Sequence, residues 1–260
     1  MSTPPAETEI LLEWTYSPRD FVESAIEIAR SDYNVDIDAG VISAQMPASV
    51  FDSDPSYRDR LHEDLLSRMR GIQILSRMPF HLSKPRLTRI EPDGRRHIFV
   101  ELQGARLTIS GGLVDITVTD ANGKLIRDTK QERSEKKREL ADLVAKFADD
   151  GVLKSMLKSY AESVSDANNE LVHLYEIRDS LSTAFGNESK ARSLLTVSRH
   201  DWSRLGQLSN VAPLRQGRHR GQKFETLRDA TEVELMEARD IARRMIEAYL
   251  QFRDEGGATP

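Results

Sequence analysis

The sequence predicts an α+β protein, in which an N-terminal antiparallel sheet with one packed helix precedes an all-helical bundle. Before residue 129, apolar and polar residues alternate in short segments, which is the period of a strand. After that residue, apolar positions recur every three or four residues, which is the period of a helix, and a charged run over 130–138 marks the change. Because the chain of 260 residues exceeds one typical domain, we expect two, at residues 9–128 and 130–253.

Short alternating segments bounded by turn residues predict the strands of the first domain. In the first segment, Trp14 and Tyr16 lie on one face and polar residues on the other. Turn signals such as Asp38-Ala-Gly40 and Pro92-Asp-Gly94 join neighbouring segments and predict hairpins, so the sheet should be antiparallel. The predicted strands are residues 10–16, 25–29, 33–38, 41–46, 87–90, 97–102, 114–119 and 124–126.

Helical periodicity predicts one helix within the first domain and six in the second. Residues 56–75 carry one apolar stripe, which we expect to pack on the sheet: Tyr57, Leu61, Leu65, Met69 and Ile72. The later helices are predicted at 134–148, 151–163, 166–185, 188–195, 199–210 and 226–252. The last has a broad apolar stripe that includes Ile241, Met245 and Tyr249. We expect part of that stripe to remain after the core is filled, which favours a two-fold homodimer.

Composition excludes several classes of function. The chain has no cysteine, which excludes disulfides, thiolate metal sites and cysteine nucleophiles. Its net charge of −5 gives no general attraction to nucleic acid, so any such contact needs a local basic patch. No apolar run reaches membrane-spanning length and the N-terminus lacks a signal-peptide pattern, so we expect a cytoplasmic protein without a membrane partner. His173 and His200 lack a second ligand at metal spacing, and we predict neither a metal nor a cofactor.

A basic loop over residues 210–221 is the strongest candidate site. It contains Arg215, Arg218, His219 and Arg220 and no acidic residue. Fixed positive charge beside a side chain that exchanges protons near neutral pH suits a metal-free ribonuclease, and it equally suits a phosphate-binding surface. A third interpretation is a solvated loop whose arginines pair with nearby carboxylates.

Three further features bear on this loop. Gly217 and Gly221 would let the backbone approach a ligand closely. The next helix is predicted to begin near Thr226, where its first amides would add to an anion site. On the helix predicted at 166–185, Glu176 and Asp179 are three residues apart and share a face. They are candidates to orient the arginines, or else ordinary surface ion-pair partners.

The second half of the chain resembles the HEPN superfamily, small helical bundles found in prokaryotic defence and toxin systems. The resemblance covers about residues 150–252. It depends on the order of these segments: Leu174-Tyr-Glu-Ile-Arg-Asp179, Phe185-Gly-Asn-Glu188, Trp202-Ser-Arg-Leu205, Asn210 and Arg215-Gln-Gly-Arg-His219. In active members an arginine precedes a histidine with four to six residues between them, whereas three separate Arg215 from His219 here.

The resemblance implies a metal-independent ribonuclease of antiphage defence that cleaves RNA with the RNA's own 2′-hydroxyl group, in a dimer that joins two Arg/His sets. It assigns His219 as general base or acid and Arg215 as the group that holds the scissile phosphate. Arg218 or Asn210 would orient that phosphate. Further substrate-binding candidates are Arg220 and Lys223. Two alternatives stay open: a catalytically silent HEPN-like module that binds a nucleotide, RNA or a protein through this loop, and a structural subunit whose basic loop holds an acidic partner.

Overall fold

A computed structural model describes residues 7–93, 95–99, 117–119, 125–218 and 227–258. These residues divide into two compact units. The first runs to residue 72 and continues over 80–141, and the second comprises 73–79 and the residues from 142 onward. The boundary expected near residue 129 is the start of a helix, and the two units divide later, within that helix.

The first unit is built on an antiparallel sheet, as the alternating segments predict. Its strands are β1 (Glu9–Ser17), β2 (Ile26–Ala29), β3 (Asn34–Asp38), β4 (Val41–Pro47), β5 (His81–Leu82), β6 (Arg86–Ile90) and β7 (Arg96–Phe99), with a separate pair β8 (Thr117–Thr119) and β9 (Leu125–Asp128). In the described residues the strand order is β2-β3-β4-β1-β6-β7, and β5 pairs with the end of β1. The central strand β1 pairs with β4 on one side and β6 on the other, with Trp14 opposite Ile42 and Leu12 opposite Leu87.

The long helix α2 (Tyr57–Ser76), which follows the short α1 (Ala48–Asp52), buries the predicted apolar stripe. Its side chains meet the inner face of β1, where Trp14 is fully buried and its Nε1 donates a 3.0 Å hydrogen bond to Nδ1 of His62. That bond satisfies the indole N–H, which would otherwise be costly to bury. The expected packing of one helix on the sheet is therefore confirmed.

Helices make up the second unit. They are the end of α3 (Thr129–Lys146), α4 (Gly151–Ser165), α5 (Glu170–Ala184), α6 (Glu188–Leu194), α7 (Arg199–Gly206) and α8 (Glu232–Asp254), with a π-helical segment over Gln207–Val211. Between residues 150 and 250, the described part of the chain contains no strand and only one isolated bridge, from Leu214 to Arg228. The predicted fold class, a sheet domain followed by a helical bundle, is confirmed.

Two buried carboxylates fasten this bundle. Glu170 begins α5 and accepts hydrogen bonds from Nε of Arg239 at 2.5 Å and from Nη2 of Arg77 at 2.9 Å. Asp150 precedes α4, where it accepts from the amides of Val152 and Leu153, and the Tyr249 hydroxyl donates to it at 3.0 Å. Glu170 therefore links the start of α5 to α8, and Asp150 links the start of α4 to α8.

The start of the last helix is a correction. We expected a helix over 226–252, but α8 begins at Glu232. A capping box sets this start: Thr231 Oγ1 accepts from the Glu234 amide at 3.2 Å, and Glu234 Oε2 accepts from the Thr231 amide at 2.9 Å. These bonds occupy the amides of Thr231 and Glu234, at the start that the helix actually has.

The apolar stripe of α8 is buried over most of its length and exposed near its start. Ile241, Met245 and Tyr249 are buried within the chain itself, so they offer no surface to a second copy. Val233 and Met236, near the start of α8, are exposed instead. None of the helices in the described ranges is long and apolar enough to cross a membrane.

Candidate functional site

The basic loop begins at the end of a π-helical segment, and backbone hydrogen bonds fix its position as far as Arg218. The amide of Arg218 donates to the Ser209 carbonyl at 2.7 Å, and the amide of Arg215 donates to the Arg228 carbonyl at 3.0 Å. A Cβ at position 217 would lie 2.8 Å from that same Ser209 carbonyl oxygen. Glycine is therefore needed at 217 to let the loop fold back on the π-helical segment.

Arg218 lies on the exposed side of α5. Its guanidinium carbon is 4.5 Å from the centre of the Tyr175 ring, and Nη1 donates to Oδ2 of Asp179 at 3.0 Å. The ring face attracts the cation and the carboxylate fixes its orientation. Two residues of α5, one helical turn apart, thus position the last described residue of the loop.

A second arginine, Arg178, completes this cluster, and the sequence analysis did not select it. Its guanidinium carbon lies 5.0 Å from the ring centre of Tyr175 and 5.3 Å from that of Trp202. Nη2 donates to Glu188 at 3.2 Å. The signal was an arginine on the apolar stripe of its helix, where a cation is stable only if aromatic rings and a carboxylate receive it.

Gly206 explains how Arg178 reaches this position. A Cβ at residue 206 would lie 2.1 Å from Nη1 of Arg178, so any larger residue would displace the guanidinium. Gly206 ends α7, directly before the π-helical segment. The end of α7 and the face of α5 therefore fit around one arginine.

Arg215 takes a different direction. Its side chain is 62% exposed and Nη1 donates to Asp229 Oδ2 at 3.4 Å. The neighbouring Gln216 stabilises this part of the loop, because its Oε1 accepts a hydrogen bond from the Ala230 amide at 3.0 Å. Arg215 thus lies beside the segment that leads into α8, whereas Arg218 contacts α5.

Three buried polar atoms on or near the π-helical segment have no hydrogen-bond partner among the described residues. They are Oδ1 of Asn210, Oγ of Ser209 and Nε1 of Trp202. Buried polar atoms are normally satisfied, and π-helical turns are frequent at functional sites. Oδ1 of Asn210, at the start of the loop, is therefore a buried acceptor without a partner among these residues.

Of the two acidic candidates, Asp179 contacts a loop arginine, whereas the contacts of Glu176 lie elsewhere. Glu176 Oε2 accepts from the Ser159 hydroxyl at 2.9 Å and lies 3.7 Å from Nδ1 of His173. His219, Arg220 and Lys223, together with Gly221 and Thr226, lie outside the described residues.

An open groove of about 490 Å³ runs between α4 and α5 beside this cluster. Its polar lining consists of hydroxyl groups and two carboxylates, and nonpolar residues line the rest: Ser155, Ser159, Ser180, Thr183, Glu176 and Asp179, with Gly151, Val152 and Ala184. Asp179 belongs both to this lining and to the ion pair with Arg218. An anion bound at Arg218 would therefore lie next to a surface that suits sugar hydroxyls.

Comparisons with known proteins returned nothing similar: no family model, no curated protein and no solved structure matches the chain.

Proposed function

We propose that the helical unit is a HEPN-like domain that binds RNA through Arg218 and Arg215 and cleaves it without a metal ion, with His219 transferring protons. The observation that carries this proposal is the placement of Arg218 over Tyr175 beside Asp179. A guanidinium held flat on an aromatic ring presents its remaining N–H groups as a planar fork, which matches the oxygens of a phosphodiester.

The proposed reaction uses the 2′-hydroxyl of the RNA as nucleophile. A base removes the proton of that hydroxyl, the oxygen forms a bond to phosphorus, and the bond from phosphorus to the 5′-oxygen breaks. An acid then protonates the departing 5′-oxygen, so the products carry a 2′,3′-cyclic phosphate and a 5′-hydroxyl. One histidine in each of two copies, or one histidine acting in turn, suits both proton transfers, and arginines stabilise the charge on phosphorus.

The ion pairs of the loop are compatible with this role. Arg218 and Asp179 have side chains that are 37% and 48% exposed, and exposed pairs contribute only about 0–1 kcal/mol. A phosphate can therefore replace the carboxylate at Arg218 at little cost. The neighbouring hydroxyl-lined groove between α4 and α5 offers hydrogen-bonding partners for ribose.

A catalytically silent RNA- or nucleotide-binding module is the second candidate. Arg215 and Arg218 already contact the carboxylates of Asp229 and Asp179. These contacts compete with a phosphate, so the arginines should bind RNA with moderate strength, as a binding module would. In either case we propose a cytoplasmic homodimer, with the exposed Val233 and Met236 on its contact surface.

A comparison of three variants separates the two candidates. If His219 transfers protons, His219→Ala should lower the cleavage rate by roughly 100-fold or more and leave RNA affinity nearly unchanged. Arg218→Ala should lower affinity and flatten its salt dependence by about one phosphate contact in either case. Arg199→Ala, at an exposed arginine that begins α7, serves as the control. Wild-type protein that binds RNA through Arg218 but never cleaves it would identify the silent module.

A further inference from the structure

A second cluster of titratable side chains lies at the turn between α4 and α5. Glu162 is in the last turn of α4, and His173 and Glu176 are one turn apart on α5. Their ligating atoms all lie within 4.8 Å of one another. His173 is the most enclosed of the three, with a side chain 17% exposed, against 43% and 44% for the two glutamates.

Asp166 contacts one ring nitrogen of His173, Nε2. Its Oδ2 lies 3.4 Å from Nε2 of His173, and Nδ2 of Asn169 donates to the same oxygen at 2.7 Å. A carboxylate accepts hydrogen bonds and does not donate them, so this contact favours a hydrogen on Nε2. The lone pair of a neutral imidazole is then on Nδ1.

That lone pair faces two carboxylate oxygens. Nδ1 is buried without a hydrogen-bond partner, and it lies 3.5 Å from Oε2 of Glu162 and 3.7 Å from Oε2 of Glu176. Three electron-pair donors that converge on one point repel each other unless a proton or a cation lies between them. A second proton on His173 would satisfy this geometry, and so would a metal ion.

The other bonds of the two glutamates favour the metal. Lys158 lies 3.8 Å from Oε1 of Glu162, and the Ser159 hydroxyl donates to Oε2 of Glu176. Lys158 thus orients Glu162 through the oxygen that does not face His173, in the way that outer partners orient metal ligands. The Ser159 hydroxyl contacts the oxygen of Glu176 that does face His173, and a carboxylate oxygen has a second lone pair for a metal bond. Bonds of 2.0–2.2 Å in a tetrahedron put neighbouring ligand atoms about 3.3–3.5 Å apart, close to the two separations seen here.

We propose that Glu162, His173 and Glu176 bind a first-row divalent cation, with Zn²⁺ as the best fit to one imidazole and two carboxylates. Nδ1 of His173 is the nitrogen ligand, and Asp166 is a positioning residue that acts through His173. The exposure of both glutamates leaves the fourth position to water. The ion joins the end of α4 to α5 and stabilises the second unit, a role separate from the proposed chemistry of the basic loop.

Metal titration of the chelator-treated full chain tests the proposal. One Co²⁺ should bind per chain with visible absorption that Zn²⁺ abolishes. Zn²⁺ at about 100 times its dissociation constant should raise the melting temperature by roughly 5 °C or more. In ¹⁵N NMR spectra, Zn²⁺ should shift the resonance of Nδ1 in His173 while Nε2 keeps its hydrogen.

Four variants assign the ligands. His173→Gln, Glu162→Gln and Glu176→Gln should each weaken Zn²⁺ binding by about 100-fold, and Asp166→Asn by about 10-fold. His200→Gln is the matched control, because His200 also lies beside a carboxylate, at 3.5 Å from Asp201, and should bind as the wild type does. Because the two glutamates are exposed, their variants should still fold, and circular dichroism checks this.

Two results would overturn the proposal. One is the absence of saturable Co²⁺ and Zn²⁺ binding by the folded wild-type chain, which would identify a protonated His173 paired with its carboxylates. The other is wild-type affinity in His173→Gln, which would place the bound ion elsewhere.

Discussion

Arg218 donates a 3.0 Å hydrogen bond to Asp179, 39 residues earlier in the chain. The pair joins the last described residue of the basic loop to the face of α5 that carries Tyr175. The candidate site is therefore a surface of α5 against which the loop folds, and the carboxylate in it competes with any phosphate for the same guanidinium.

Removing that competitor should strengthen RNA binding. Asp179→Asn keeps the shape of the side chain and removes its charge, so we expect RNA affinity to rise about 3–10-fold at low salt. Stability should change by less than about 1 kcal/mol, because the pair is exposed. Fluorescence anisotropy with labelled RNA measures the affinity. Asp149→Asn, at a fully exposed carboxylate, is the control, and an equal gain there would remove the site-specific explanation.

The hydrogen bond between Trp14 and His62 makes the first unit sensitive to acid. Burial lowers the pKa of His62 below its ordinary value. In the unfolded chain His62 takes up a proton near pH 6.5, whereas the folded state resists it until the pH falls further. Stability should therefore be complete above pH 6.5 and decline as the pH falls through the lower pKa of the folded state.

Urea unfolding at pH 7.5 and pH 5 measures this effect. His62→Gln, whose amide oxygen can still accept from Trp14, should reduce the loss on acidification. His81→Gln, at an exposed histidine of β5, should leave the loss unchanged. A wild-type pH dependence in the His62 variant would contradict the explanation.

The capping box of α8 should stabilise the second unit mainly above pH 4.5. Hydrogen bonds from Arg228, then from Thr231, lower the pKa of Glu234 to about 2. The stabilisation is complete above the unfolded pKa and is lost as the pH falls toward 2. Glu234→Gln should cost about 1 kcal/mol at pH 7, and the difference from wild type should shrink at pH 3. Glu247→Gln is the control, and a constant difference across this range would be the wrong result.

Glu170 should be the costliest carboxylate to neutralise. Its side chain is 4% exposed between Arg77 and Arg239, which are 25% and 18% exposed. Glu170→Gln removes the carboxylate partner of Arg77 and leaves Arg239 with the exposed Glu232 alone, so we expect a loss of about 3 kcal/mol in the free energy of unfolding. Asp240→Asn, on the exposed side of α8, should cost far less. Similar losses of unfolding free energy for both variants in urea would show that the buried ion pairs of Glu170 stabilise the protein no more than an exposed pair does.

The sequence predicted the parts of the fold that depend on local periodicity. Alternation placed Trp14 and Tyr16 on the buried face of β1, and the stripe from Tyr57 to Ile72 packs as expected. The predicted start of α8 was too early because Leu227 and Ala230 continue the helical period. The capping box of Thr231 and Glu234, which sets the start of the helix, was overlooked.

Long-range contacts of the site could be predicted only in part. Asp179 was selected as an acidic neighbour of the loop, but nothing local indicates that Arg178 lies between Tyr175 and Trp202, since that needs the end of α7 to meet α5. His173 looked isolated because Glu162 comes from another helix, and spacing along one helix does not reveal such a ligand.

The chemical ends of RNA cut by the wild-type protein in excess chelator, at a temperature where the metal-free chain stays folded, show whether cleavage follows the proposed reaction. Mass spectrometry of the fragments reads those ends. Metal-independent transfer to the 2′-hydroxyl predicts 2′,3′-cyclic phosphate and 5′-hydroxyl ends, with yields that fall about 100-fold in His219→Ala. Fragments with 5′-phosphate ends, or cleavage that the chelator abolishes while the chain stays folded, would contradict it.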